Sequence, residues 1–186
     1  MPQSNPIQSI QNFLDPHEII KLLDIKEGMV IADFGAGSGY KTFEAAKLVG
    51  EGKGIVYALD VKKSVIEHIK GEMKRKNISN IKPIWTDLEI PGRNHITPHS
   101  VDMVLIVNML YQSMKHHNIL EEAARILKPG GQIVIIDWIS GNTPFGPSID
   151  ERVNLEKIKQ IAYNLELNKI KEFQAGQYHF GVIFRK

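Results

Sequence analysis

Three glycines at alternate positions follow a short apolar run in the segment VIADFGAGSGYKT, residues 30–42. Gly35, Gly37 and Gly39 remove side chains from the backbone, so the chain can take positive φ angles or approach a ligand closely. In open α/β sheets the first turn between a strand and a helix is also a common ligand site. The spacing therefore indicates a binding turn.

Two acidic residues end the apolar runs that come next. Asp60 closes GIVYALD and Asp87 closes IKPIWTD. Asp60 comes roughly twenty residues after the glycine turn, a spacing that favours a ligand role for the turn over a purely structural one. Asp60 has an alternative role as the cap of the helix that follows it, and Asp87 has one as a turn residue.

The elements that must position these residues alternate between strand and helix. Apolar runs predict strands at 28–35, 54–60, 81–87, 101–108 and 132–139. Helices are predicted between them at 40–50, at 63–77 and from residue 116 to a stop at Pro129 and the Gly130-Gly131 pair. Such alternation predicts right-handed βαβ units and a parallel sheet. A last helix at 150–166 precedes strands at 168–175 and 178–186, whose short connection at Gly176 permits only an antiparallel hairpin. The predicted fold is α/β, a doubly wound, mostly parallel seven-stranded sheet with an antiparallel C-terminal hairpin.

The bulk properties limit the function classes. The 186 residues predict a single domain over 1–186, with a helical lead-in at 1–25 whose helix begins at Asp15 and Pro16. A formal net charge of +2 makes a dedicated nucleic-acid partner unexpected. No apolar run reaches the ~18 residues of a membrane span, and the N-terminus has no secretory pattern, so a cytoplasmic location is expected. The chain has no cysteine, which excludes thiolate chemistry, and no metal site is predicted.

Two ligand classes compete for the glycine turn. A dinucleotide site has the spacing G-x-G-x-x-G, but Tyr40 stands where its third glycine belongs. The observed G-x-G-x-G, preceded by Asp33, resembles the first motif of the class I S-adenosylmethionine-dependent methyltransferases. In that resemblance Asp60 accepts hydrogen bonds from the ribose hydroxyls of the cofactor, while Asp33 orients the glycine turn.

The resemblance continues along most of the chain. Asp87 matches the residue near the adenine amino group, with the backbone N–H of Leu88 beside it. The segments VDMVLIVNMLYQ and EEAARILKPGGQIVIIDW are similar to the small-molecule branch typified by ubiquinone and menaquinone biosynthesis enzymes. The cofactor is then S-adenosyl-L-methionine, and the predicted contact residues are Asp33, Gly35, Ala36, Gly37, Gly39, Tyr40, Asp60, Val61, Asp87, Leu88, Asn108 and Met109.

Methyl transfer from a sulfonium needs alignment more than acid catalysis, and only some acceptors require a base. Asp137 and Tyr111, at the functional edge of the sheet, are the candidate catalytic residues. The expected reaction is transfer to oxygen, nitrogen or activated carbon of a small-molecule acceptor. There are two alternatives. The first is a cofactor-binding subunit or sensor without catalysis, and the second, which Tyr40 and the C-terminal hairpin disfavour, is a nicotinamide-dependent oxidoreductase.

The sequence lacks motifs that several classes of methyltransferase need, which disfavours their acceptors. The chain has NMLYQ where enzymes acting on exocyclic amino groups of bases or on glutamine amides carry a proline-containing segment, and it lacks the cysteine that cytosine carbon-5 and arsenic methylation require. Three segments are candidate lids over the acceptor: the N-terminal 25 residues, the 88–100 loop, and residues 140–152 with Phe145.

Overall fold

The structure is a computed structural model, and it describes residues 20, 23–141 and 143–186. Seven strands alternate with helices: β1 (Val30–Phe34), α1 (Tyr40–Val49), β2 (Ile55–Asp60), α2 (Lys63–Lys76), β3 (Ile81–Trp85), β4 (Val101–Val107), α3 (His116–Ile126), β5 (Leu127–Trp138), α4 (Leu155–Asn164), β6 (Asn168–Gln174) and β7 (His179–Arg185). Short 3₁₀ turns lie at Leu110–Gln112 and Ile149–Glu151. The predicted helix at Asp15 lies outside the described residues.

One sheet contains all the described strands, in the order β3-β2-β1-β4-β5-β7-β6. The pairs from β3 through β5 are parallel, whereas β7 is antiparallel to both β5 and β6. The predicted fold class is therefore confirmed, including the C-terminal hairpin. Strand order reverses between β1 and β4, which creates a crevice at their carboxyl ends.

Helices cover both faces of the sheet, and the side chains of β4 pack alternately against the helices of one face and of the other. Met103 and Leu105 pack with the residues of α1 and α2, while Val104 and Ile106 pack with those of α3 and α4. Successive side chains of a strand point to opposite faces, so a strand buried on both faces is apolar throughout. Continuous apolar runs were the signal that predicted these strands.

Two predicted helix boundaries are wrong. The helix predicted from residue 116 to a stop at Pro129 ends at Ile126, and β5 already begins at Leu127. Pro129 disfavours helical geometry at the residue before it, and Leu127 pairs with Val101 of β4 instead.

The helix predicted at 150–166 is divided in two. Residues 149–151 form a separate 3₁₀ turn, and α4 begins only after Asn154, whose side chain accepts a hydrogen bond from the backbone N–H of Lys157 at 3.1 Å. Asparagine is a preferred N-cap residue, so the helix starts at the capping signal rather than at the acidic run before it.

Candidate active site

A cavity of about 540 Å³ lies at the carboxyl ends of β1, β2, β3 and β4, where strand order reverses. Its size is typical of a small-molecule or cofactor site. The lining comes from the ends of these strands and the segments that follow them, including the first turns of α1 and α2, and consists of Gly35, Gly37, Ser38, Lys41, Asp60, Val61, Lys62, Val65, Thr86, Asp87, Leu88, Glu89, Asn108, Met109, Gln112 and Ser113.

The glycine turn is shaped by what surrounds each glycine. A Cβ atom on Gly35 would lie 2.7 Å from Cγ of Met109, so only glycine permits the β1 and β4 loops to pack this closely. A Cβ atom on Gly37 would meet nothing nearer than the Gly35 carbonyl oxygen at 3.9 Å. Gly37, at φ 54°, therefore leaves open space beside the cavity that it lines.

Asp60 ties the glycine turn to the loop after β2. Its Oδ2 atom accepts a hydrogen bond from the backbone N–H of Gly37 at 3.1 Å, and its Oδ1 atom accepts one from that of Lys62 at 2.8 Å. The residue is 8% exposed and lines the cavity. An ionised carboxylate offers about four acceptor sites, so this one retains capacity for donors on a ligand while its orientation is fixed.

The loop after β3 forms the next part of the wall. Asp87 and Leu88 both line the cavity, and the Oδ1 atom of Asp87 accepts a hydrogen bond from the backbone N–H of Glu89 at 2.9 Å. Asp87 thus performs the turn role that was its alternative and also faces the ligand space. Thr86 beside it is 5% exposed, and its hydroxyl has no hydrogen-bond partner among the described residues.

Asn108 and Met109 leave the end of β4 in an unusual conformation. Asn108 has φ 52°, a left-handed value that few non-glycine residues adopt. Its N–H donates to the Ile136 carbonyl oxygen at 2.8 Å, and its carbonyl oxygen accepts from Nε2 of Gln112 at 3.1 Å. The backbone is therefore held on both sides, in a conformation that asparagine tolerates better than most residues.

Eight of the twelve predicted cofactor residues line the cavity, and four do not: Asp33, Ala36, Gly39 and Tyr40. Asp33 lies below the turn, fully buried, and accepts a hydrogen bond from the Thr42 hydroxyl at 2.7 Å. Its position agrees with the predicted role of orienting the glycine turn. Tyr40 is the first residue of α1.

The two candidate catalytic residues lie outside the cavity lining. Asp137 is fully buried and accepts hydrogen bonds from the backbone N–H groups of Leu110 at 3.1 Å and Trp138 at 2.9 Å. Burial raises its pKa from 3.8 to about 6, although the backbone hydrogen bonds oppose the shift. Tyr111 is half-buried and packs on the core beneath α3 and α4. The structure thus places Asp137 where it fixes the turn after β4.

The three candidate lids differ in position. The 88–100 loop contributes Leu88 and Glu89 to the cavity wall, whereas none of the described residues of the 140–152 segment lines it. Phe145 instead makes edge contacts with Trp138, at a centroid distance of 6.1 Å, and with Tyr178, at 5.0 Å. Of the N-terminal 25 residues, 1–19 and 21–22 lie outside the described residues.

The buried Glu122 fastens the 88–100 loop to α3. Its carboxylate accepts hydrogen bonds from the Gly92 N–H and the Asn94 side chain, both at 2.6 Å, and pairs with Arg125 at 2.7 Å. Burial acts to raise the pKa of Glu122, but Arg125 and the Gly92 amide outweigh it and lower the pKa below its ordinary value. The loop that carries part of the cavity wall is therefore anchored at its far side.

Sequence reasoning missed half of the lining. The unpredicted residues are Ser38, Lys41, Lys62, Val65, Thr86, Glu89, Gln112 and Ser113. Ser38 lies inside the glycine motif and Lys62 follows Asp60 closely, so their positions in the sequence gave a usable signal. Lys41 is only 5% exposed, which no sequence pattern predicts for a lysine.

A family model described as a methyltransferase domain matches residues 25–177. The chain also has the fold of a solved S-adenosylmethionine-dependent methyltransferase from Aquifex aeolicus, with a TM-score of 0.83 and 25% identity over 97% of this chain and 93% of that one. The chain therefore belongs to the methyltransferase domain family. Its likeness to these proteins implies S-adenosylmethionine as the cofactor, as the glycine turn predicted.

Three curated relatives act on different acceptors. Aklanonic acid methyltransferase from Streptomyces sp. (strain C5) is 30% identical, over 68% of this chain and 58% of its own length. Demethylmenaquinone methyltransferase from Listeria welshimeri is 27% identical, over 68% and 52%. A fibrillarin-like rRNA/tRNA 2'-O-methyltransferase from Pyrobaculum aerophilum is 28% identical, over 63% and 48%. The chain spans about half the length of these relatives.

Proposed function

We propose that this protein is an S-adenosylmethionine-dependent methyltransferase that acts on a small-molecule acceptor at oxygen, nitrogen or activated carbon. The observation that carries the proposal is Asp60, a buried carboxylate at the carboxyl end of β2, held by the Gly37 and Lys62 amides on the wall of the cavity of about 540 Å³. Its geometry suits two neighbouring hydroxyls of a ribose.

The lining fits the cofactor on independent grounds. The Thr86 hydroxyl and the Asn108 Oδ1 atom are buried polar atoms without a hydrogen-bond partner among the described residues, and both residues line the cavity. An unsatisfied buried polar atom costs about 1–3 kcal/mol, a cost that a polar ligand removes. Asp60 would hold the ribose, Asp87 and Leu88 the adenine, and Asn108 with Met109 the methionine part.

When bound, the cofactor supplies a methyl group on a positively charged sulfur. The leaving group of the transfer is a neutral thioether, so it requires no acid. The chain's own contribution is orientation: Asp60 fixes the nucleoside, and the close contact of Gly35 with Met109 shapes the cavity wall between the segments after β1 and β4. Correct alignment of reacting groups is worth about 7–11 kcal/mol in favourable cases. We infer that Asp137 serves this alignment indirectly, because it accepts a hydrogen bond from the Leu110 N–H, directly after Met109 on the cavity wall, and that Tyr111, which packs on the core in the same turn, supports that turn.

The acceptor side of the proposal rests on charge and on the relatives. A net charge of +2 provides little attraction for a polyanion, and acidic and basic side chains both line the cavity. Two of the relatives above are named for small organic acceptors, whereas the fibrillarin-like relative is named for RNA. A nucleic-acid acceptor is therefore disfavoured. A single domain over 1–186 and a cytoplasmic location stay predictions; no described helix is long and apolar enough to cross a membrane.

The test is a calorimetric titration with S-adenosylmethionine, S-adenosylhomocysteine and NADH in parallel. Saturable one-to-one binding of the first two, without heat from NADH, supports the proposal and leads to a screen of phenols, amines and carboxylic acids with labelled methyl donor. Binding of NADH alone contradicts it. Binding without transfer to any acceptor favours the non-catalytic alternative.

A further inference from the structure

A buried lysine forms part of the cavity wall. Lys41 lines the cavity with only 7% of its side chain exposed. Its Nζ atom lies 3.5 Å from the Gly35 carbonyl oxygen and 3.9 Å from Oδ1 of Asp33. An ammonium group has three donors, and both distances are long for a hydrogen bond. Burying a charge is costly unless it is paired and hydrogen-bonded, so this ammonium gains from a further acceptor.

The position of Lys41 in its helix adds to that cost. It is the second residue of α1, and the first turn of this helix contains no acidic residue. The N-terminal end of a helix carries partial positive charge, which disfavours a cation and favours an anion. The helix end and Lys41 therefore act in the same direction, and together they attract negative charge to the end of the cavity beside Gly35.

Asn108 supplies a hydrogen-bond acceptor on the wall of the same cavity. Its neighbour Met109 is the residue against which Gly35 packs, so Asn108, Met109 and Gly35 bound one part of the cavity. The buried Oδ1 atom of Asn108 has no hydrogen-bond partner in the part of the chain that the structure describes. A buried cation and an unpaired buried acceptor thus line one cavity, on the segments after β1 and β4 that pack together through Gly35 and Met109.

We propose that Lys41 determines specificity by binding a ligand carboxylate, with Asn108 accepting a hydrogen bond from the ammonium of the same amino-acid group. This inference rests on the proposed function, in which the cofactor carries such a group; a carboxylate on the acceptor is the other source of the same chemistry. Lys41 exchanges its long contacts to Asp33 and Gly35 for a short one to the ligand. The cavity then distinguishes a nucleoside that has an amino-acid group from one that lacks it.

The experiment compares S-adenosylhomocysteine with 5'-methylthioadenosine, which shares the thionucleoside and lacks the amino-acid end. Calorimetric titration of Lys41→Met is expected to show a roughly 10- to 100-fold loss of affinity for S-adenosylhomocysteine, the size of one charge-assisted hydrogen bond. Affinity for 5'-methylthioadenosine stays within about twofold. Asn108→Gly, which keeps the left-handed backbone accessible, is expected to change the two affinities in the same selective direction.

Lys47→Met is the matched control, because Lys47 lies on the same helix, exposed and paired with Glu44 at 2.6 Å. It should leave both affinities unchanged. Removing the ammonium leaves Asp33 with less compensation, so the double variant Asp33→Asn/Lys41→Met is used if Lys41→Met does not fold. Equal losses for both ligands, or no loss for either, overturn the assignment of Lys41 to the cofactor carboxylate.

Failure of the proposed function has a different signature. If the wild-type protein binds neither nucleoside, the cofactor proposal fails before Lys41 is tested. If the wild type binds both and Lys41→Met shows no selectivity, only the role of Lys41 fails. An unchanged affinity for S-adenosylhomocysteine, together with a raised KM for carboxylate-bearing acceptors alone, would transfer the contact to the acceptor and contradict the binding of the cofactor carboxylate by Lys41.

Discussion

Asp60 and Asp137 are the same residue type at the same edge of one sheet, at the ends of β2 and β5, and the fold uses them differently. Asp60 accepts hydrogen bonds from the backbone N–H groups of Gly37 and Lys62, and Asp137 accepts them from those of Leu110 and Trp138. Asp60 lies on the cavity wall, whereas Asp137 is fully buried, outside the lining, with its pKa raised to about 6 by burial. A carboxylate at the functional edge is thus insufficient evidence for a role in binding or chemistry.

The position relative to the reversal of strand order explains the difference. The crevice opens between β1 and β4, and β2 and β3 extend it on one side. The end of β5 lies one strand beyond β4 and is covered by the 140–152 segment, where Gly146 packs so closely on the Trp138 ring that a Cβ atom would lie 2.7 Å from it. The first region is therefore open to a ligand, and the second is closed by the chain itself.

The largest effect is expected at the glycine turn. Gly37→Val places a branched side chain in the open space beside the cavity, so binding of S-adenosylhomocysteine should fall more than 100-fold, about 3 kcal/mol or more. Calorimetry measures the loss, and circular dichroism checks the fold. Gly52→Val is the matched control, because Gly52 also has positive φ, at 74°, and open surroundings. Equal losses of affinity in both variants would refute the ligand role of Gly37.

The next effect is a pH dependence of the free energy of unfolding, which is expected from Asp137 in the closed region. The pKa of Asp137 is raised from 3.8 to about 6, so between these values the folded state binds more protons than the unfolded state. Its contribution is present in full below pH 3.8 and is lost as the pH rises through about 6, a change of about 3 kcal/mol in the free energy of unfolding.

Asp137→Asn should remove that dependence. Urea unfolding of both proteins at intervals from pH 4 to 8 gives the difference in free energy of unfolding, in which the other titrating groups cancel. The wild type is expected to lose stability relative to the variant as the pH rises. A difference that stays constant with pH would contradict the burial assigned to Asp137.

Asp60→Ala tests the open region at one side chain. The Gly37 and Lys62 amides lose their common acceptor, and the ribose loses a charged partner, so affinity for S-adenosylhomocysteine should fall by about 1.5–3 kcal/mol. Asp60→Asn retains one acceptor oxygen and should lose less. Titration calorimetry of the three proteins measures the series, and an unchanged affinity in Asp60→Ala would refute the ribose assignment.

The smallest effect on binding is expected beyond β5. Arg152 hydrogen-bonds the carbonyl oxygens of Ile139, Gly141 and Pro147 and the hydroxyl of Thr143, and so holds the 140–152 segment in place. Arg152→Ala should lower the free energy of unfolding by about 1–3 kcal/mol. Cofactor affinity should stay within about twofold, because no described residue of the segment lines the cavity. A large loss of affinity would show that the region beyond β5 contributes to cofactor binding and would contradict the separation of the two regions.

The sequence by itself determined the sheet, the antiparallel hairpin and the place of the glycine turn. These depend on local signals: apolar runs for strands buried on both faces, glycines where φ is positive, and a connection at Gly176 too short for a parallel crossover. Asp60 was predicted as a ribose-binding residue from the resemblance of its motif; the structure places it on the cavity wall, and its contact with the cofactor stays a prediction.

Only the tertiary structure decided which side chains reach the cavity. Lys41 is buried in its wall, Thr86 and Gln112 line it, and Asp137 is excluded, although all four lie near the carboxyl edge. Burial depends on how loops distant in sequence pack together, as Gly35 does on Met109 across more than seventy residues. Periodicity and residue type predict which face of a helix or strand is buried, but the contacts between loops arise only when the chain is folded.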